Sequence, residues 1–239
     1  MESNIWKIHL ISFFNSFYFL SGVLIPFFTD WGEISFSQIL TLQAWFMVCC
    51  FILEFPSGGF ADRFGKKMSL SIAFCLISIG FLVYASIPNI WIFALGEFIL
   101  AIGCSLISGT VSSFISCTLN NIGKPYLKKI VLGKNRSLGM TGILISAPIG
   151  SIIAYYLGLR EAVLLTAVSP AIAFVISLTL TEPKNGEITE SFWKILKEGF
   201  LCFKKSKALS MLAFDKTIVH LLCFYLIWIY QPFLKQEGI

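Results

Sequence analysis

One carboxylate, Glu97, stands inside an apolar run that reaches from Ile90 to Ile115. A charge at the centre of a membrane helix costs about 2.5 to 3.5 kcal/mol on insertion scales, so it normally faces a cavity or a partner. A carboxylate held there can take up a proton or a cation. Glu97 heads a stripe at four-residue spacing, Glu97, Ala101, Ser105, Gly109 and Ser113, which makes one helix face small and polar. Two amides, Asn15 and Gln43, also lie within apolar runs, where they can bond a solute or a neighbouring helix. Glu54, beside Pro56, is expected to pair with a cation of the polar segment that follows it. A second stripe, Gly142, Ser146, Gly150 and Ala154, reads as close helix packing, as do Gly103 and Gly109.

Other chemistry has little to stand on. The sequence has no HExxH, G-x-S-x-G or P-loop, and only 2 His, so neither catalysis nor a cofactor is expected. The 7 Cys contain no CxxC pair and fall mostly inside apolar runs, which leaves neither a disulfide framework nor a metal site. The net charge of +5 sits in short gaps between apolar segments and not on one basic face, against a nucleic-acid partner.

The elements that must position these residues are membrane helices. Of 239 residues, 56% are hydrophobic and 13% charged, with mean hydropathy +0.82, which excludes a water-soluble single domain. About 20 apolar residues cross a hydrocarbon core of roughly 30 Å. Seven stretches approach that length: Ile8 to Phe28, Ser37 to Phe55, Met68 to Ile87, Ile90 to Ile115, Ser137 to Leu157, Ala162 to Leu180 and Thr217 to Leu234. Their apolar residues run around every side without alternation, so helices and not barrel strands are expected. All but Arg160 and Lys235 of the 18 Lys and Arg lie before the first span or in every second connection after it. The positive-inside rule then places the N-terminus in the cytoplasm of a cell (inner or plasma) membrane. Between the sixth and seventh spans, Ile188, Phe192, Ile195 and Phe203 recur at helical spacing against Lys194, Lys197, Glu198 and Lys204. That pattern predicts an amphipathic surface helix.

The segment between the second and third spans runs Pro56-Ser57-Gly58-Gly59-Phe60-Ala61-Asp62-Arg63-Phe64-Gly65-Lys66-Lys67. It strongly resembles the signature loop of the major facilitator superfamily, G-x-x-x-D-R-x-G-R/K-R/K, through Gly58, Asp62, Arg63, Gly65, Lys66 and Lys67. Gly58 and Gly65 suit a hairpin where backbone turns or approaches closely. The resemblance implies that Asp62 faces the positive end of a helix in a second bundle and favours one side-open state. In the fourth span, Glu97 stands where many family members carry Arg, so that Arg's role does not carry over.

The family resemblance implies an all-α membrane protein of about seven spans, the first half of a transporter built from two six-helix bundles. The domains expected are a six-helix bundle over 1–181, a cytoplasmic linker over 182–207 and a seventh helix over 208–239. The activity implied is secondary active transport of a small solute by alternating access, with proton-coupled efflux as one form. Expected partners are the bilayer, the solute, a coupling proton or sodium ion, and a second chain where the other bundle is not part of this one. The competing reading is a half-transporter that binds another membrane chain without moving solute. A seven-helix retinal protein fits poorly, because its N-terminus lies outside and Lys216 sits at a span edge.

Overall fold

Peptide groups inside a bilayer must satisfy one another, so each apolar run closes into a helix. The computed structural model describes residues 1–183 and, beyond them, 206–208, 210–212, 214–215, 218–219, 222, 226 and 229. The chain divides into two compact units, Met1–Asn185 and Gly186–Ile239. The predicted surface helix, His220 and most of the seventh span lie outside the described residues.

The first unit is helical throughout: α1 (Ser3–Asn15), a single turn α2 (Leu24–Pro26), α3 (Phe36–Phe64), α4 (Lys66–Tyr84), α5 (Ile90–Ile107), α6 (Thr110–Asn121), α7 (Lys128–Leu157), α8 (Leu159–Thr166) and α9 (Val168–Leu178). Among the described residues, five stretches are long and apolar enough to cross a membrane, and the bent pair Ser3–Gly22 and Leu24–Trp31 makes a sixth when counted as one span. The fold is therefore an all-α, multi-pass membrane bundle. Helix α4 packs on α5 and α9, α3 on α5, and α1 on α7 and α9.

Three expected spans differ in detail. The first is broken: its two pieces, Ser3–Gly22 and Leu24–Trp31, meet at 67°. The backbone groups released by the break find partners on neighbouring helices, since Ser146 Oγ donates to the Tyr18 carbonyl at 3.1 Å and Leu20 N–H donates to Thr166 Oγ1 at 3.1 Å. The second span is Phe36–Glu54, close to that expected, but its helix does not stop there. Helix α3 starts at a Ser35–Gln38 capping box and runs through Pro56 to Phe64. Gly58 is therefore helical and half-buried, and it forms no turn. The turn is confined to Gly65, whose φ of +96° suits glycine.

The fourth span breaks between α5 and α6 at Gly109, whose φ is +73°. Nothing lies within 4 Å of where its Cβ would be. Gly109 thus supplies a left-handed backbone and is not a packing residue, and the predicted polar stripe is interrupted before Ser113.

Two apolar cores hold the bundle together. At the Lys/Arg-rich end, Ile8, Ile11, Leu70, Phe74, Phe114, Ile115 and Leu119 interlock. At the other end, Phe27, Phe28 and Phe93 are fully buried, and Tyr84 stacks on Phe93 with ring centroids 5.8 Å apart. The sixth span is tied back at the basic end. Asn4 exchanges two hydrogen bonds with Thr181, at 2.8 and 3.0 Å, and Lys7 Nζ donates to the Thr179 carbonyl at 2.7 Å. Glu182, assigned from sequence to the linker, accepts the Lys66 and Lys67 backbone N–H groups at 2.8 and 2.7 Å. A carboxylate at the first turn of α4 complements its helix dipole.

Candidate functional site: a cavity beside the broken span and a buried carboxylate

Helices α1 and α7 run in the same direction, because their contacts advance together along both chains. Ser12 Oγ donates to Asn135 Oδ1 at 2.9 Å, Gly139 faces Ser16, and Ser146 reaches Tyr18. The α7 face that makes this contact is nearly bare. A Cβ on Gly142 would come within 2.6 Å of the Phe13 carbonyl oxygen, and one on Gly150 would collide with the Phe19 carbonyl. Gly142, Ser146 and Gly150 therefore let α7 lie against the backbone of the broken span. Gly103 does the same for α5 on α4, since its Cβ would meet Ile77 Cγ1 at 2.6 Å.

Where α1 ends, this close packing opens into a cavity of about 380 Å³. Asn15, Ser12 and Ser16 line it from α1, and Asn135, Arg136 and Gly139 line it from α7. Apolar wall comes from Phe74, Ile107 and Val111 of α4, α5 and α6. Asn15 Oδ1 is buried and has no hydrogen-bond partner among the described residues. Arg136 makes no hydrogen bond or ion pair with any described residue. Sequence reasoning counted Arg136 among the basic loop residues and missed its place here. The signal was present, since Arg136, Gly139, Met140 and Ile143 share one helical face.

Glu97 lies elsewhere and does not line this cavity. It is 3% exposed, and its Oε1 accepts a hydrogen bond from Gln43 Nε2 at 2.7 Å. The Tyr84 side chain also lies beside it, within electrostatic reach. Three helices, α3, α4 and α5, thus meet on one carboxylate. The chemistry of that junction follows from valence. An ionised Glu97 only accepts, whereas a protonated one carries a donor beside its remaining acceptor capacity, so protonation changes what the carboxyl offers its neighbours.

The expected ion pair of Glu54 is replaced by another contact. Ser108 Oγ donates to Glu54 Oε1 at 2.8 Å, because the α5–α6 break carries that hydroxyl against α3 at the end of its apolar stretch. Around the α3–α4 turn, Asp62 is exposed and has no hydrogen-bond or ion-pair partner among the described residues. Arg63 lies over the Phe64 ring at 5.5 Å, Lys67 is half-buried, and Lys66 is 2% exposed.

Parallel spans around a polar cavity, with the first of them broken beside it, define a helical bundle of the membrane-transporter class. The chain belongs to the major facilitator superfamily, whose family model matches residues 6–237. Among curated proteins it is 28% identical to the uncharacterized MFS-type transporter YxaM of Bacillus subtilis, over 95% of this chain and 59% of that protein. It is 26% identical to a second one from the same organism, YcxA, over 82% of this chain and 49% of that protein. The chain thus spans about half the length of the curated relatives it matches. Among solved structures it resembles a D-xylose-proton symporter with TM-score 0.66 at 14% identity, covering 98% of this chain and 61% of the other. It also resembles the POT family transporter PepTSo with TM-score 0.61 at 20% identity, covering 78% and 40%. At these identities the two structures speak for the fold.

Proposed function

We propose that this chain is the solute-binding first half of a secondary active transporter that moves a small solute by alternating access. The single observation that carries the reading is the open cavity between α1 and α7, where Ser12, Asn15, Asn135 and Arg136 stand beside the apolar wall of Phe74, Ile107 and Val111. A second bundle, from further residues or from another chain, would complete the path.

Glu97 is the proposed proton carrier. Its position beside Gln43 and Tyr84 brings three helices to the group that takes up the proton. The excess of Lys and Arg at the basic end, with Lys7, Arg63 and the Lys124 to Arg136 segment, supports a cytoplasmic position for that end in a cell membrane. Asp62, exposed at the same end, is the proposed gate contact to the second bundle, together with the Gly58 to Lys67 segment around it. A charge near a helix end contributes about 0.3 to 1 kcal/mol, which biases one side-open state without locking it.

The test is solute flux in vesicles carrying the natural gene product, driven by an imposed pH gradient and compared with the gradient collapsed. Flux should follow the gradient. Asp62→Asn should slow it about two- to fivefold, in line with that contact energy, at unchanged amounts of inserted protein. Flux indifferent to the gradient would refute coupling, and an unimpaired Asp62→Asn would refute the gate.

A further inference from the structure

The two walls of the α1–α7 cavity differ in hydrogen-bonding sense. On α7, Arg136 brings a guanidinium with no partner among the described residues. Its neighbour Asn135 uses its Oδ1 on Ser12, so the part of the amide left to it is its NH₂ group. This wall donates. On α1, Asn15 has a buried Oδ1 without a partner among the described residues. The terminal torsion of an Asn amide is soft and roughly two-fold, so a half-turn exchanges its oxygen and nitrogen. This wall can therefore accept. Phe74, Ile107 and Val111 close the remaining side with hydrocarbon.

From this polarity we propose that the cavity binds a small organic monocarboxylate bearing a hydroxyl or amino group near the carboxylate. The carboxylate lies on Arg136, the donor reaches Asn15 Oδ1, and a short apolar tail rests on the Phe74 side. The planar fork of Arg matches a carboxylate with two parallel hydrogen bonds. One guanidinium balances one carboxylate, whereas a phosphate dianion would leave a charge uncompensated beside the apolar wall. A volume of about 380 Å³ admits an acid of a few carbons with accompanying water. The proposal rests on reading this cavity as the solute site, and it adds the class of solute.

The experiment is equilibrium binding to the purified full chain in lipid nanodiscs, read by thermal stabilisation and by titration. The probes are 2-hydroxy and 2-amino monocarboxylates of three to six carbons, their deoxy acids, their neutral amides, and inorganic phosphate. At least one hydroxy or amino acid should bind, and its deoxy and amide counterparts more weakly. Arg136→Gln should weaken that binding about ten- to a hundredfold, as expected for lost bonds to a charged group, and Arg136→Lys by less. Asn15→Val should erase the preference for hydroxy or amino over deoxy acids while keeping the preference for the anion over the amide. An undisturbed melting profile of the ligand-free variants checks their fold.

Failure of every carboxylate to bind, equal binding of neutral amides, tighter binding of phosphate, or wild-type affinity in Arg136→Gln would overturn the proposal. Binding without any flux would contradict transport and leave the anion site standing. Gradient-driven flux of another solute, untouched by Arg136→Gln, would do the reverse.

Discussion

Gly150→Val should be among the most damaging single changes in the bundle, destabilising it by about 1 to 3 kcal/mol or more. The reason is geometric. A Cβ at Gly150 collides with the Phe19 carbonyl, which is main chain and cannot rotate aside as a side chain would. Phe19 is held from both directions, since Ser146 takes the Tyr18 carbonyl and Thr166 takes the Leu20 N–H. Relief requires α7 to slide or tilt away from the broken span, which opens the neighbouring contact of Gly142 with Phe13. Thermal melting in detergent and the yield of folded protein measure the loss. Gly133→Val, on the same helix where nothing lies within 4 Å of the added Cβ, is the control and should cost far less. Equal melting of the two variants would show that the α1–α7 contact is looser than described.

Glu97→Gln should produce the largest functional effect with a modest structural one. Gln is the same shape, keeps an oxygen for Gln43 Nε2, and so retains the α3–α5 bond of 2.7 Å. It cannot change charge. A carrier coupled to one proton sustains about tenfold accumulation per pH unit, because each factor of ten corresponds to about 1.4 kcal/mol. The variant should equilibrate solute across the membrane and accumulate none, with flux independent of pH. Glu97→Leu separates charge from shape. It leaves Gln43 facing hydrocarbon without its acceptor, at about 1 to 3 kcal/mol for the stranded group, and should lower stability as well as coupling. If Glu97→Gln accumulates solute as wild type does, the proton travels by another group and the junction is purely structural.

The membrane crossings were legible because hydropathy over about 20 residues is a property of local sequence. The breaks within them were not. Val23 and Gly109 interrupt apolar runs whose average hydropathy is unchanged by a single dihedral angle. The extension of α3 through Pro56 to Phe64 was hidden for the opposite reason, since polar residues there suggest a loop although the helix continues beyond the apolar stretch. Contacts between residues far apart in sequence were invisible. Glu54 is answered by Ser108, Gln43 by Glu97, and the start of α4 by Glu182. None of these pairings follows from periodicity. Arg136 marks the boundary between the two kinds of information. Its charge places it with the loop cations, and only the face it shares with Gly139 and Met140 puts it in the wall of the cavity that Asn15 also lines.

The most direct test of the central claim, that the α1–α7 cavity is reached from both membrane faces in turn, needs no knowledge of the solute. Met140 lines the cavity. Met140→Cys, introduced into the natural gene product with its native cysteines replaced, is exposed to a membrane-impermeant maleimide in vesicles of either orientation, with and without a pH gradient. Alternating access predicts labelling from both faces, with the gradient raising the rate on one face and lowering it on the other. Labelling from a single face under every condition, or from neither, would contradict it.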